Sequence, residues 1–123
     1  MKQLGIVLLL VLAMGAAGCS RTKVVPQNVA SMAGSNFTVS TVTVKAGQAV
    51  KFINATGGST HILVVGGNGA WTADPNAPTQ LNSSSGQSIT GGQEQDIIFP
   101  TAGTFTITCT VHPYMLLTVT VKP

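Results

Sequence analysis

The chain has 123 residues, a formal net charge of +3 and only 7% charged side chains. That is the length of one domain, and charges this few and scattered exclude a nucleic-acid-binding surface and make strong electrostatic steering of partners unavailable to it. With two cysteines and two histidines in all, the chain has material for very few chemical sites.

In chain order, the first predicted element is a targeting segment. Met1-Lys2-Gln3 is a short basic start, and residues 4–14 are an uncharged apolar run. The run is shorter than the ~20 residues a spanning helix needs. Small residues follow and end in a cysteine, Ala16-Ala17-Gly18-Cys19. This is the layout of a secretory signal, and its end resembles a bacterial lipobox, with Ala16 where leucine is commonest. The reading is a signal peptide over 1–18, a lipidated Cys19 heading a polar tether over 19–27, and one domain over 28–123. It implies an exported protein, in the periplasm or at the cell surface, anchored to a membrane by lipid. A Cys19–Cys109 disulfide is the competing use of the two cysteines. Lipidation would consume Cys19 and leave Cys109 as a single thiol in an oxidising compartment, where a bound metal would protect it.

The domain shows no helical period. Short runs rich in Val, Ile, Thr and Phe are broken by Gly, Asn and Pro, which predicts an all-β sandwich or barrel. A poorly defined strand lies around 29–39. Val42-Thr43-Val44 alternates and meets a turn at 45–48. Residues 49–54 form the next strand, with Val50 and Phe52 on one face. Residues 62–65 are continuously apolar, as expected of a strand covered on both sides. Residues 66–92, which hold the only tryptophan, Trp71, read as a long loop, and a loop of that length usually has a role or structure of its own. Strands are predicted over 93–99 and at the alternating end, 118–121. The clearest period-2 strand places Phe105, Ile107 and Cys109 on one face and Thr104, Thr106, Thr108 and Thr110 on the other. Cys109 therefore points into the core.

That strand runs into Cys109-Thr110-Val111-His112-Pro113-Tyr114-Met115. Pro113 fixes φ and lacks an N–H, so the segment must turn tightly and can bring His112 and Met115 back near Cys109. His61, the other histidine, starts a separate apolar strand. One thiol, two imidazoles and a thioether are the ligand types of a blue-copper site. Zinc accepts Cys and His but rarely Met, and ranks below copper. Taken singly, each of these residues has a plainer use as core filler or surface group; the joint set points to one copper ion.

The seven-residue segment resembles the ligand loop of the cupredoxins, and its Cys-x₂-His-x₂-Met spacing resembles the short loop of the amicyanin type. Residues 37–47 running into 50–54, and 103–109, resemble the plastocyanin-like strands of that family. The resemblance covers about 29–122. It implies a Greek-key β-sandwich and one-electron transfer, with His61, Cys109 and His112 as equatorial ligands and Met115 as axial ligand. Three positions depart from the family pattern. Ile62 follows the first ligand where an asparagine commonly ties the ligand loops together, a tie that Thr60 or Thr110 could replace. Val111 stands for a frequent proline, and Leu117 for a common glycine.

The leading expectation is a monomeric electron carrier, with no substrate turnover, that exchanges electrons with cytochromes or membrane oxidoreductase complexes. Docking would use apolar contact around Pro113, Tyr114 and Leu116, with Trp71 as a further candidate. The alternative is copper delivery, storage or sensing on the same domain. A copper oxidase or nitrite reductase would need further histidines, and both are already used. A metal-free structural lipoprotein would leave the ligand set without a purpose.

Overall fold

The computed structural model describes Gly18 and residues 28–123. Residues 1–17 of the expected signal segment, Cys19 and the rest of the expected tether over 19–27 lie outside these residues. The described residues form ten strands: β1 (Val29–Ala33), β2 (Asn36–Phe37), β3 (Thr41–Lys45), β4 (Ala49–Asn54), β5 (His61–Gly67), β6 (Ala70–Trp71), β7 (Gln87–Ile89), β8 (Glu94–Ile98), β9 (Gly103–Cys109) and β10 (Leu116–Lys122). They form two sheets, one in the order β2-β1-β4-β8 and the other β3-β10-β9-β5-β6, with β7 also paired to β5. This is the all-β sandwich expected. Both sheets are mixed, because β1 runs parallel to β4 and β3 runs parallel to β10.

Alternation explains the core. Val42 and Val44, Val50 and Phe52, Phe105, Ile107 and Cys109, and Leu117, Val119 and Val121 all face inward and are buried together. Each fully buried Val, Leu, Ile or Phe contributes about 1.5–3 kcal/mol relative to leaving it exposed, so two short-stranded sheets can hold without a disulfide among the described residues. The pairing also sets the poles of the sandwich. Cys109, Leu116 and Leu63 lie at one end. Lys45 pairs with Lys122 at the other, where Asn28 donates to the Ala49 carbonyl.

Two regions differ from the sequence reading. Residues 29–39 are not one strand: β1 and β2 form a hairpin through Gly34, at φ +58. Residues 66–92 are not simply a loop. β5 and β6 form a hairpin with Gly67 opposite Ala70, so its tip is the dipeptide Asn68-Gly69. Both tip residues have positive φ, +52 and +74, the two left-handed positions of a type I′ turn. Beyond it, Asn82 accepts from Trp71 Nε1 and the Asp74 backbone and donates to the Asp74 carbonyl, stapling residues 71–82. Leu81 is buried in the core, and its carbonyl accepts from Val65 N–H.

This segment covers the outer face of the β5–β9 pair. Val64 and Thr108 are register partners that point away from the core residues beside them, yet both are completely buried. The predicted polar face of β9 is therefore interrupted at Thr108, which sits under the flap.

Candidate metal centre

Cys109 ends β9 with its sulfur turned inward. The chain then turns: Met115 N–H donates to the His112 carbonyl at 2.9 Å. His112 to Met115 is thus a four-residue turn with Pro113 at its second position, where the ring's fixed φ is favoured. Thr110 N–H donates to the Ile62 carbonyl at 2.9 Å, which ties the start of the loop to the residue after His61. Of the two residues offered for that tie, Thr110 makes one, through its backbone N–H.

His61 is the first residue of β5 and is fully buried. It pairs with Ile89 of β7. The segment before it is held by Asn54, a residue that sequence reasoning did not single out. The Asn54 side chain is buried and donates to the Ser59 carbonyl at 2.7 Å and to the Ile89 carbonyl at 2.9 Å. It thereby fixes both the approach to His61 and the strand beside it. The signal was an asparagine in phase with Val50 and Phe52, on the inward face of its strand.

The three donors converge. Cys109 Sγ lies 3.7 Å from His61 Nδ1 and 3.9 Å from His112 Nδ1, and the two Nδ1 atoms are 3.2 Å apart. The corners of such a triangle are all about 2.1 Å from one central point, close to the lengths of metal–imidazole and metal–thiolate bonds. The imidazole rings are tilted by 56° with their centroids 5.0 Å apart, so they do not stack face to face. Met115 is buried on the same loop, three residues beyond His112.

The electrostatics suit a cation. His61 is held below its ordinary value of 6.5, first by burial and then by the neighbouring His112, with the Gly34 backbone pulling weakly the other way. A neutral His61 keeps a lone pair for a metal. Its Nε2 is the one buried side-chain nitrogen or oxygen among the described residues that no acceptor satisfies. Ligation through Nδ1 places the proton on Nε2, at a cost on the order of 1–3 kcal/mol unless it gains an acceptor. The Gly34 backbone is on hand for that.

Around the donors, exposure is uneven. His112 is half-buried, and Tyr114 is 93% exposed, with Val111 and Leu116 also open to solvent. The structure brings together His61, Cys109 and His112, and it leaves Pro113, Tyr114 and Leu116 on the outside of the same loop.

Solved structures share this fold. Amicyanin from Paracoccus versutus (Thiobacillus versutus) shares 24% identity over 76% of this chain and 79% of its own, with a TM-score of 0.57. An amicyanin variant in its reduced Cu(I) form at pH 4 shares 25% over 76% and 80%, with a TM-score of 0.58. Another reduced variant shares 23% over 81% and 87%, also at 0.58. No curated protein sequence matches the chain. The family model of copper-binding proteins of the plastocyanin/azurin type matches residues 23–122. With the His61–Cys109–His112 cluster supporting one copper ion, the chain belongs to the plastocyanin/azurin family of copper-binding proteins.

Proposed function

We propose that the protein is a mononuclear blue-copper electron carrier, with His61, Cys109 and His112 as equatorial ligands and Met115 as a weak axial ligand. The observation that carries the reading is the convergence of Cys109 Sγ and two imidazole Nδ1 atoms on one point, with Cys109 and His61 buried and His112 half-buried. When bound, copper supplies a one-electron Cu(II)/Cu(I) couple. The chain's part is to keep the donors in place through both states. Thiolate and thioether suit Cu(I), and imidazole also suits Cu(II). The turn at Pro113, the Thr110–Ile62 backbone bond and the Asn54 bonds hold the three donor segments with little freedom to rearrange.

His112 lies beside the solvent-facing part of the loop, whereas His61 is sealed in. Electrons on this reading pass through His112, within the apolar surface of Val111, Pro113, Tyr114 and Leu116, to cytochromes or membrane oxidoreductase complexes. The protein acts as an exported monomer in the periplasm or at the cell surface, anchored through a lipid on Cys19, with 1–18 removed as signal and 19–27 as tether. The mass of the mature N-terminus tests the anchor: an unmodified Cys19 would rule it out.

The test of the site is the absorption and EPR spectrum of the Cu(II)-loaded protein. An intense thiolate charge-transfer band in the visible is expected, and its loss in Cys109→Ser, because a hydroxyl is a poor soft ligand. An equally intense band in the serine variant would overturn the assignment. A colourless protein that takes only Cu(I) and releases it readily would favour copper delivery.

A further inference from the structure

The β5–β6 hairpin tip touches the residues next to two of the proposed ligands. Gly69 N–H donates to Thr108 Oγ1 at 3.0 Å. The Thr108 hydroxyl in turn faces the Pro113 carbonyl at 3.5 Å, a long contact. Thr108 immediately precedes Cys109, and Pro113 immediately follows His112. The tip thus reaches both sides of the turn that separates the two ligands.

The contact is also steric. A Cβ on Gly69 would lie 2.9 Å from Pro113 Cβ and 3.0 Å from its Cα and Cγ. The Gly69 backbone is therefore packed directly against the proline ring, with no room for a side chain. Its φ of +74 independently favours glycine. Asn68, at φ +52, is the only non-glycine residue with positive φ among the described residues. Two left-handed residues make a tight, well-defined tip on their own; the Asn82 bonds lie beyond it, to Trp71 and Asp74.

We propose that the Asn68–Gly69 tip is a positioning element for the metal loop: through Gly69 and Thr108 it holds Pro113, and so sets His112 against Cys109 and tunes the copper site's reduction potential. Thr108 and Gly69 act here as positioning residues, since neither is a ligand. The Thr108 hydroxyl explains why a threonine is buried on the outer face of β9: it accepts from one side of the contact and faces an acceptor on the other. The inference rests on the copper reading above for its redox arm, and on hydrogen bonding alone for its structural arm.

The test compares Thr108→Val, Thr108→Ser and Gly69→Ala with Asn82→Ala, which loosens the flap away from the loop. In the metal-free protein, amide hydrogen exchange is followed at Gly69 and at Met115, whose N–H closes the loop turn. Thr108→Val is expected to speed both by several-fold to about tenfold, the effect of about one net hydrogen bond. Thr108→Ser should restore protection. In the copper-loaded protein, voltammetry should show a shift of midpoint in Thr108→Val and Gly69→Ala, with a change in the visible band, and neither in Asn82→Ala or Thr108→Ser. Unchanged Met115 exchange and an unchanged potential in a folded Thr108→Val would overturn the proposal. So would an equal shift in Asn82→Ala. If Thr108→Val does not fold, Gly69→Ala decides the question by the same two readings. A wild-type protein with no blue spectrum would sink the copper-site assignment while leaving the exchange result to judge the brace.

Discussion

Met115 and His61 illustrate how much one side chain can set. Met115 is completely enclosed, so a change there alters the site without opening it to water. If it is the weak axial donor proposed above, it should tune more than hold. Met115→Leu is expected to retain copper and raise the reduction potential, because losing a donor disfavours Cu(II). Met115→Gln should lower it, and voltammetry giving the reverse order would count against an axial role. His61 makes a different prediction, for the metal-free protein. Burial, then His112, keeps its folded value below the 6.5 it has when unfolded. Between those values the unfolded chain binds more protons, so stability rises with pH through the window and falls as pH drops below about 6.5. The urea midpoint of metal-free protein should therefore decrease from about pH 7 to pH 5, a range in which histidine titrates and ordinary carboxylates do not. A midpoint flat across that range would contradict the assigned environment of His61.

At the scale of elements, Asn54 links β4, the approach to His61 and β7. Asn54→Ala would strand two carbonyls, one of them deeply buried, at a cost of about 2–3 kcal/mol. Urea unfolding should register this, with copper affinity reduced because the His61 segment loses its hold. A stability change below ~0.5 kcal/mol, the usual range for a surface site, would show that the bonds matter little. Asn54 also marks where the sequence stops being legible. Strict alternation made β3, β4, β9 and β10 readable, together with the inward sulfur of Cys109, because period 2 and burial on one face are the same fact. Thr108 broke that rule, since its cover comes from a flap distant in sequence. The flap's hairpin carried an Asn-Gly turn signal, but Gly66 and Gly67 beside it gave no alternating apolar run to frame it. The link between the loops was sought at Thr60 or Thr110, and it is found at Thr110, through a backbone N–H that has no residue signature.

For the whole molecule, charge placement bears on how partners meet it. Two of the three acids, Glu94 and Asp96, lie beside Lys51 at 3.4 and 3.7 Å on exposed strands. Such pairs are worth little to stability. The third acid, Asp74, accepts from the Asn76 backbone N–H within the flap. The metal loop carries no formal charge of its own. Electron-transfer rates with a partner should thus vary only slightly with salt, since screening within ~8–10 Å has little to act on. Tyr114→Lys should slow transfer by putting a charge in the middle of the apolar surface. Stopped-flow kinetics across a salt series checks both; a steep salt dependence, or indifference to the lysine, would place docking elsewhere.

The chain enters the sandwich at Asn28, beside Ala49 and at the end of the β3–β10 pair marked by Lys45 and Lys122. The donor triangle sits at the other end. Seven residues of strand span about 23 Å, so roughly the full height of the domain separates Asn28 from the donor triangle. If Cys19 is lipidated as proposed, the nine residues of 19–27 can span at most ~30 Å. The domain would then ride like a buoy with its redox face uppermost, turned from the bilayer toward whatever diffuses past. A partner seated in the same membrane could be served only by one that stands well proud of the surface, or by the whole sandwich tipping over on its line.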